Sequence, residues 1–225
     1  MTEIVQSRRR IGRREFLLGT LTLALGGCVS TQTRAPQAAL APVLPQDVVA
    51  RYGPIASEKF PVAGVSPSLL KPQYVRQVVD FPTTEKPGTL VVDPHQRFLY
   101  LVMEDGKALR YGVGVGKAGL EFTGTADVGR KAEWPRWTPT SDMIRREPDR
   151  YGPWAKGMEG GARNPLGARA LYLFKDGRDT LYRIHGTTEP ATIGKAVSSG
   201  CIRMMNQDVI DLYGRVPRGA KVVVL

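Results

Sequence analysis

Cysteine and histidine are the scarcest reactive residues of this chain, with two of each among 225 residues: Cys28, Cys201, His95 and His185. A four-cysteine zinc site and a disulfide framework are therefore excluded within one chain. The N-terminal apolar stretch covers only residues 16–27, which is shorter than the ~20 residues needed to span a bilayer. The composition, 42% hydrophobic and 24% charged, also excludes a disordered, a collagenous and a multi-pass membrane protein.

The length and the charge of the chain limit the number of domains and the kinds of partner that the protein can have. A chain of 225 residues fits one domain of roughly 100–200 residues with flanking segments. The net charge of +11 suits an anionic partner without identifying it. Because the basic residues and tryptophans are dispersed and no recognition module is present, we expect no nucleic-acid partner.

Residues 1–27 are predicted to be an export signal. Arginines crowd residues 8–14, and the apolar stretch that follows has the length of a signal-peptide core. Arg13 and Arg14, followed by Glu-Phe-Leu, resemble the twin-arginine export signal. Arg8 and Arg9 are a poorer second candidate for that pair, and an ordinary secretory signal with a basic start is the alternative.

Cys28 ends a Leu-Gly-Gly-Cys sequence that resembles a bacterial lipoprotein processing site. A thiol at the end of an apolar segment is presented at the membrane surface, where attached acyl chains can anchor the mature protein. We therefore expect lipid attachment at Cys28, a membrane partner through that anchor, and a location in the periplasm or cell envelope. The alternative is that Cys28 is an incidental apolar residue of a signal that is cut later.

Residues 28–87 are predicted to be a proline-rich tether and packing arm. Residues 30–45 lack a periodic apolar pattern and are typical of a flexible tether. Residues 52–87 are too apolar for a solvated linker, so we expect an extended arm on the main domain, with a short helical turn at residues 74–79. Its prolines exclude it from the interior of a sheet.

Residues 88–225 are predicted to form a domain that is mainly β with short helices. Apolar runs separated by turn residues indicate strands at residues 89–93, 97–103, 109–115, 170–174, 180–184 and 221–225. The clearest helix is predicted at residues 206–213 with Asn206 as its N-cap. The long segment between Gly129 and Gly167 has the length of a functional lid or binding loop. Residues 112–116 (GVGVG) lack the spacing of a dinucleotide-binding fingerprint.

Cys201 and His185 are the candidates for chemistry. A cysteine attacks an acyl carbonyl as its thiolate, and an imidazole within hydrogen-bond reach can take the proton and return it to a leaving amine. His95 lies in a polar turn, where a solvated histidine is the expected outcome. The alternative for Cys201 is a buried inert thiol, and for His185 a histidine that caps carbonyls at the end of a strand.

The surroundings of these two residues resemble the L,D-transpeptidase (YkuD-type) catalytic domain of bacterial cell-wall enzymes. The resemblance consists of His185-Gly-Thr, a spacing of 15 residues, and then Cys201 within Ser-x-Gly-Cys-Ile-Arg-Met. It extends upstream through residues 164–172 and 137–140 to residue 88, and so covers roughly the last 140 residues. It implies a mainly β, sandwich-like catalytic domain with a lid, and no metal or cofactor.

The resemblance also implies roles for individual residues. Cys201 would be the nucleophile and His185 the acid and base, with the backbone carbonyl of Gly186 orienting the imidazole. The amides of Gly200 and Cys201 would hold the oxyanion. The substrate-binding residues implied on the same grounds are Ser198, Ser199, Arg203 and Trp137. Arg203 would brace the loop or meet a substrate carboxylate, and residues 134–161 would form the lid.

One position departs from the family pattern. Members usually have a histidine immediately before the Gly-Cys pair, and Ser199 occupies that position here. That histidine is not the assigned base, so the departure leaves the Cys–His pair intact and affects substrate preference or rate.

The resemblance implies acyl transfer on peptidoglycan stem peptides. The cysteine would attack the carbonyl of the third residue of a tetrapeptide and release the terminal D-Ala, and an amine would then resolve the thioester. One alternative is a carboxypeptidase or amidase that uses water as the acceptor. The other is a peptidoglycan-binding lipoprotein whose site has lost activity.

Overall fold

The computed structural model describes residues 44–117 and 122–225. The predicted export signal, Cys28 and nearly all of the predicted tether lie outside the described residues. Within the described part, no helix is both long enough and apolar enough to cross a membrane.

The described residues are mostly β-strand with short helices, which confirms the predicted fold class. The strands are β1 (Gln77–Asp80), β2 (Leu90–Asp93), β3 (Phe98–Val102), β4 (Lys107–Gly112), β5 (Val115–Gly116), β6 (Gly124–Glu133), β7 (Arg169–Lys175), β8 (Arg178–Thr187), β9 (Ala196–Ser198), β10 (Ile202–Met205) and β11 (Lys221–Val224). The helices are α1 (Gln46–Arg51), α2 (Ser141–Arg146), α3 (Pro148–Tyr151) and α4 (Asn206–Arg215). Short 3₁₀ turns lie at Pro67–Leu69, Pro72–Tyr74, Gly152–Trp154 and Pro190–Thr192.

Nine strands form one sheet in the order β1-β4-β3-β2-β11-β6-β7-β8-β10, and β5 pairs with β9 in a second, two-stranded sheet. The large sheet folds over on itself. Gly114, two residues after the end of β4, donates its N–H to the Arg203 carbonyl in β10 at 2.9 Å, and its carbonyl accepts the Arg203 N–H at 2.7 Å. The opposite ends of the sheet therefore meet, and one apolar core fills the space between them, as expected for a sandwich-like domain.

The six predicted strands agree with the observed ones to within a few residues, except that the strand predicted at 109–115 is divided between β4 and β5. Four observed strands were not predicted as strands: β1, β6, β9 and β10. The ten-residue strand β6 begins where no strand signal is visible in the sequence.

The arm forms an edge of the large sheet. Residues 77–80, where a helical turn was predicted, form strand β1, which pairs antiparallel with β4. The prediction was wrong because pairing with a distant strand outweighs the local pattern of a few residues. Within the predicted stretch 74–79, only Tyr74 belongs to a helical turn, the 3₁₀ turn Pro72–Tyr74. The expected exclusion from the sheet interior is confirmed, because β1 has a neighbour on one side only.

Tyr52 attaches the arm to helix α4. Its side chain is 1% exposed, and its hydroxyl lies 3.1 and 3.2 Å from the two carboxylate oxygens of Asp208. The same hydroxyl accepts the backbone N–H of Arg76 at 2.6 Å. Burial raises the pKa of Asp208 to about 7, and the Arg76 charge opposes that shift. The hydroxyl thus satisfies one buried donor and one buried carboxyl group at once.

Helix α4 begins at Asn206, but Asn206 is not its N-cap. Met205 occupies the cap position and no side chain caps the helix. The Asn206 side chain accepts the Ala168 N–H at 3.0 Å and donates to the Thr187 carbonyl at 3.1 Å. The predicted cap was therefore wrong, because this amide links the start of β7 to the end of β8. The helix also continues to Arg215, two residues beyond the predicted end.

Candidate active site

A cavity of about 520 Å³ lies at the ends of β8 and β10 and contains both predicted reactive residues, Cys201 and His185, in its lining. The two strands run parallel, and His185 pairs with Arg203. Cys201 therefore precedes the β10 residue opposite His185 by two positions. The volume falls within the roughly 300–1,000 Å³ typical of small-molecule sites.

His185 is held by its neighbour in the chain. The imidazole is 5% exposed, and its Nδ1 lies 2.6 Å from the Gly186 carbonyl oxygen. Since a carbonyl only accepts, Nδ1 carries the proton and Nε2 is the basic nitrogen. Burial, aided by the charges of Arg203 and Arg183, lowers the pKa of His185 to about 4. The imidazole is consequently neutral near pH 7.

Gly186 also has a steric reason to be glycine. A Cβ at this position would overlap the amide oxygen of Asn206, and the same oxygen would meet a Cβ on Gly167. The two glycines let the Asn206 amide lie directly behind the His185 backbone. This packing fixes the end of β8 from which the imidazole projects.

Cys201 is half-buried and rests against an irregular part of β8. Its Sγ lies 3.8 Å from the Leu181 carbonyl oxygen, to which the thiol donates. Leu181 has a φ of +64°, and the pairing of β7 with β8 shifts register between Tyr172 and Phe174. A bulge of this kind re-aims backbone groups beside a site, and here it turns a carbonyl towards the sulfur.

The Cys201 thiol is protonated in this arrangement. Burial raises its pKa above the ordinary value, although the Arg183 backbone amide and the charges of Arg183 and Arg203 act in the opposite direction. In the part of the chain that the structure describes, no hydrogen bond joins the thiol to His185. The resting pair is therefore a neutral thiol and a neutral imidazole.

The loop before β10 is braced by the Ser198 hydroxyl. This hydroxyl donates to the Cys201 carbonyl at 2.6 Å and accepts the Gly200 N–H at 3.2 Å. Gly200 has a φ of +131°, a conformation that favours glycine. The Gly200 amide, predicted to hold an oxyanion, is thus engaged within the loop, and Ser198, predicted to bind substrate, is buried and braces the nucleophile. Ser199 lines the cavity.

Arg203 lines the cavity as well, and it is paired. Its Nη1 lies 2.7 Å from a carboxylate oxygen of Glu189. Arg203 thus has a partner within the protein, and both of its implied roles, bracing the loop and meeting a substrate carboxylate, stay predictions. His95 is exposed in the turn between β2 and β3 and does not line the cavity.

The lid segment, residues 134–161, covers one side of the cavity and contains α2 and α3. Its inner surface is largely apolar and includes Trp137, Tyr151, Trp154, Met143 and Met158. The Trp137 and Tyr151 rings meet edge to face at 6.1 Å, and Trp137 and Met158 exchange backbone hydrogen bonds of 2.9 and 2.7 Å. Trp137, which the resemblance implies as a substrate-binding residue, therefore lies in the wall of the cavity.

Both ends of the lid are anchored by residues that the sequence analysis did not single out as site residues. Asn164 is fully buried and donates to the carbonyls of Pro135, Met158 and Glu159 at 3.0–3.1 Å. At the other end, Glu58 of the arm accepts the Trp134 indole N–H at 3.0 Å.

Glu58 also forms a two-pronged ion pair with the nearly buried Arg169, with contacts of 2.7 and 2.8 Å. A separation of 111 residues between these partners leaves no local pattern from which the contact could have been predicted.

The described residues contain no group of three or more His, Cys, Asp or Glu side chains placed to hold a metal ion. The chemistry that the site offers is that of a thiol beside an oriented neutral base, in a cavity with an apolar wall and several guanidinium groups.

Comparison with known proteins identifies the family. Residues 87–224 match the family model described as YkuD, L,D-transpeptidase catalytic domain. The chain is 34% identical over 153 residues to Probable L,D-transpeptidase ErfK/SrfK of Escherichia coli, covering 67% of this chain and 48% of that protein. The counterpart in Salmonella typhimurium is 35% identical over 154 residues, with the same coverage. The chain thus spans about half the length of these curated relatives.

Solved structures that resemble this chain tell less about its family than the sequence matches do. A Brucella melitensis protein described as Probable carnitine operon oxidoreductase caia is 55% identical and covers 69% of this chain and 96% of its own, with a TM-score of 0.48. A Mycobacterium smegmatis L,D-transpeptidase is 17% identical, with a TM-score of 0.43, and covers 61% of this chain and 58% of its own. TM-scores this low carry no conclusion about activity, so the family assignment depends on the sequence matches.

Proposed function

The chain belongs to the L,D-transpeptidase family, and from this premise we propose that it is a cysteine-dependent acyltransferase acting on peptidoglycan stem peptides. The observation that carries the proposal is the placement of Cys201 and His185 in one cavity, with the imidazole oriented by Gly186. The donor is a tetrapeptide stem, and the acceptor is an amine of a second stem or of another molecule.

Acylation begins with a neutral pair. The Cys201 thiol turns from the Leu181 carbonyl towards Nε2 of His185, and its proton moves to the imidazole as sulfur attacks the carbonyl of the third residue. The C–S bond forms, the amide C–N bond to D-Ala breaks, and the imidazolium returns the proton to the leaving amine. Because the resting thiol is protonated and the base neutral, proton transfer accompanies attack and no ion pair forms beforehand.

Transfer reverses these roles. The acceptor amine attacks the thioester carbonyl and gives a proton to His185, and the Cys201 thiolate that leaves recovers that proton. The Gly186 carbonyl stabilises the imidazolium in both steps. The Cys201 amide is the first candidate donor to the oxyanion, and the Gly200 amide joins it only if it leaves the Ser198 hydroxyl.

The lid supports transfer to an amine in preference to water. Its apolar inner surface removes water from the region next to Cys201, which extends the lifetime of a thioester. Trp137 and Ser199 lie in the lining, where they can contact the peptide.

We also propose that the protein is exported and anchored by a lipid at Cys28. The family's substrate class supports an envelope location, and the Leu-Gly-Gly-Cys sequence supports the anchor. Labelling of cells with a palmitate analogue tests this. We expect label on the wild-type chain and none on Cys28→Ser, and an unlabelled wild-type protein contradicts the anchor.

The reaction is tested by product analysis with a purified tetrapeptide muropeptide. We expect a cross-linked product and free D-Ala from the wild type, and neither from Cys201→Ala. Release of D-Ala with only a tripeptide product identifies a carboxypeptidase. Absence of any product from a folded wild-type protein supports the non-catalytic alternative.

A further inference from the structure

The wall of the active-site cavity carries more positive than negative charge. Its charged lining residues are the arginines Arg146, Arg150, Arg163 and Arg203 and the acids Asp142 and Glu189. Three of these arginines belong to the lid or follow directly after it in the chain. An arginine-rich wall beside an apolar surface favours an anionic ligand.

Two of the arginines are already paired. Arg203 pairs with Glu189 at 2.7 Å, and Arg150 pairs with Glu147 at 3.2 Å. The acid Asp142 is itself paired with Arg145 on the same helix. The acidic side chains of the lining are therefore already engaged.

Arg146 and Arg163 differ from the other two. Neither has an ion pair or a side-chain hydrogen bond within residues 44–117 and 122–225. Arg146 ends α2, and Arg163 precedes the fully buried Asn164 that fixes the end of the lid. Two exposed guanidinium groups thus line the cavity without a partner among the described residues.

We propose that Arg146 and Arg163 form a carboxylate-binding subsite of the cavity, which selects peptide substrates by a free carboxylate. The inference depends on the function proposed above, because stem peptides supply the carboxylates. A guanidinium presents paired N–H donors that match the two oxygens of a carboxylate. An amide in place of the carboxylate loses the charge and one acceptor oxygen, so the subsite distinguishes free from amidated stems.

Binding is the first test, since it does not depend on turnover. The Cys201→Ala protein is titrated calorimetrically with a tetrapeptide stem whose third-residue side chain ends in a carboxylate, and with the same peptide amidated there. Adding Arg146→Gln and Arg163→Gln together should weaken binding of the free acid about tenfold, the loss expected for one charge-assisted contact. Binding of the amidated peptide should remain within about twofold.

Lys156→Gln is the control. Lys156 is an exposed cation of the lid that does not line the cavity and forms no ion pair with the described residues. It should leave binding of both peptides unchanged. Weakening of the free acid by Lys156→Gln as large as that by the double variant indicates only a general charge effect and overturns the subsite, as does binding of the free acid by the double variant with wild-type affinity.

Two kinetic experiments determine whether the donor or the acceptor carries the carboxylate that the subsite binds. In the first, acylation is followed by intact mass without an acceptor, and slower acylation of the double variant places the carboxylate on the donor. In the second, a preformed acyl-enzyme is mixed with acceptor, and slower transfer alone places it on the acceptor. If the wild type binds both peptides but never acylates, the proposed function fails while the binding comparison still decides the subsite.

Discussion

The imidazole of His185 should stay neutral as the pH is lowered from 7 to about 4. Burial is the main cause of its low pKa of about 4 against an ordinary 6.5, and the charges of Arg203 and Arg183 add to it. A depression of this size corresponds to about 3 kcal/mol. Between pH 6.5 and 4 the unfolded chain takes up a proton that the folded protein does not. The contribution of His185 to the free energy of unfolding is therefore present above pH 6.5 and falls by up to about 3 kcal/mol as the pH approaches 4.

Imidazole resonances in an NMR titration measure this directly. The chain has only two histidines, so the His95→Ala variant leaves a single set of signals, which belongs to His185. We expect a midpoint near pH 4, with the protonated Nδ1 giving the tautomer that the Gly186 carbonyl requires. A midpoint at pH 6 or above would falsify the lowered pKa, and only a midpoint above about pH 8 would indicate a preformed thiolate–imidazolium pair at neutral pH.

Comparison of the wild type with His185→Gln isolates the effect on stability. The comparison is needed because Asp208 also makes the free energy of unfolding depend on pH. Its pKa is raised to about 7 from 3.8, so its effect on stability has the opposite pH dependence to that of His185. The contribution of Asp208 to stability is largest below pH 3.8 and is lost as the pH rises through 7. The difference between the two proteins, measured by denaturation at several pH values, should shrink between pH 6.5 and 4. A difference that is independent of pH contradicts the low pKa.

Three further changes test the arm, the lid and the choice of histidine. Tyr52→Phe removes the hydroxyl shared by Asp208 and the Arg76 amide, and should lower the free energy of unfolding in urea by about 1–3 kcal/mol; a loss below about 0.5 kcal/mol contradicts this. Glu58→Gln weakens the anchor of Trp134, and should change tryptophan fluorescence and raise KM more than it lowers kcat. Glu85→Gln is the control for Glu58→Gln, because it breaks only the more exposed ion pair with Lys221. It should leave the tryptophan fluorescence, KM and kcat unchanged. His95→Ala should keep wild-type kcat/KM in the transpeptidase assay, and a large loss there means that His185 is not the base.

Local sequence patterns were sufficient to predict most strands and helix α4. The hairpin turns at 104–106 and 175–177 carry Asp-Gly, and Asp105 and Asp176 have the positive φ values that such turns require. Strand β6 was missed because its residues alternate Gly, Thr, Asp, Arg and Lys with few apolar side chains. Strand β1 was mistaken for a helical turn because its pairing with β4 leaves no trace in the residues themselves.

The candidate site likewise has features that could be predicted from the sequence and features that could not. The spacing of Cys201 and His185 is visible in the sequence, as are Gly200 directly before the cysteine and Gly186 directly after the histidine. The contact of the thiol with Leu181 is not, because it depends on a register shift between β7 and β8. Nor is the link from Glu58 to the lid, which joins the arm to a strand more than a hundred residues away.

Intact-protein mass spectrometry after incubation with a tetrapeptide donor and no acceptor tests the central proposal most directly. The wild type should gain the mass of the donor less D-Ala, on a peptide that contains Cys201, and Cys201→Ala should gain nothing. A wild-type protein that releases D-Ala without this adduct, or an adduct that persists in Cys201→Ala, would contradict nucleophilic attack by this cysteine.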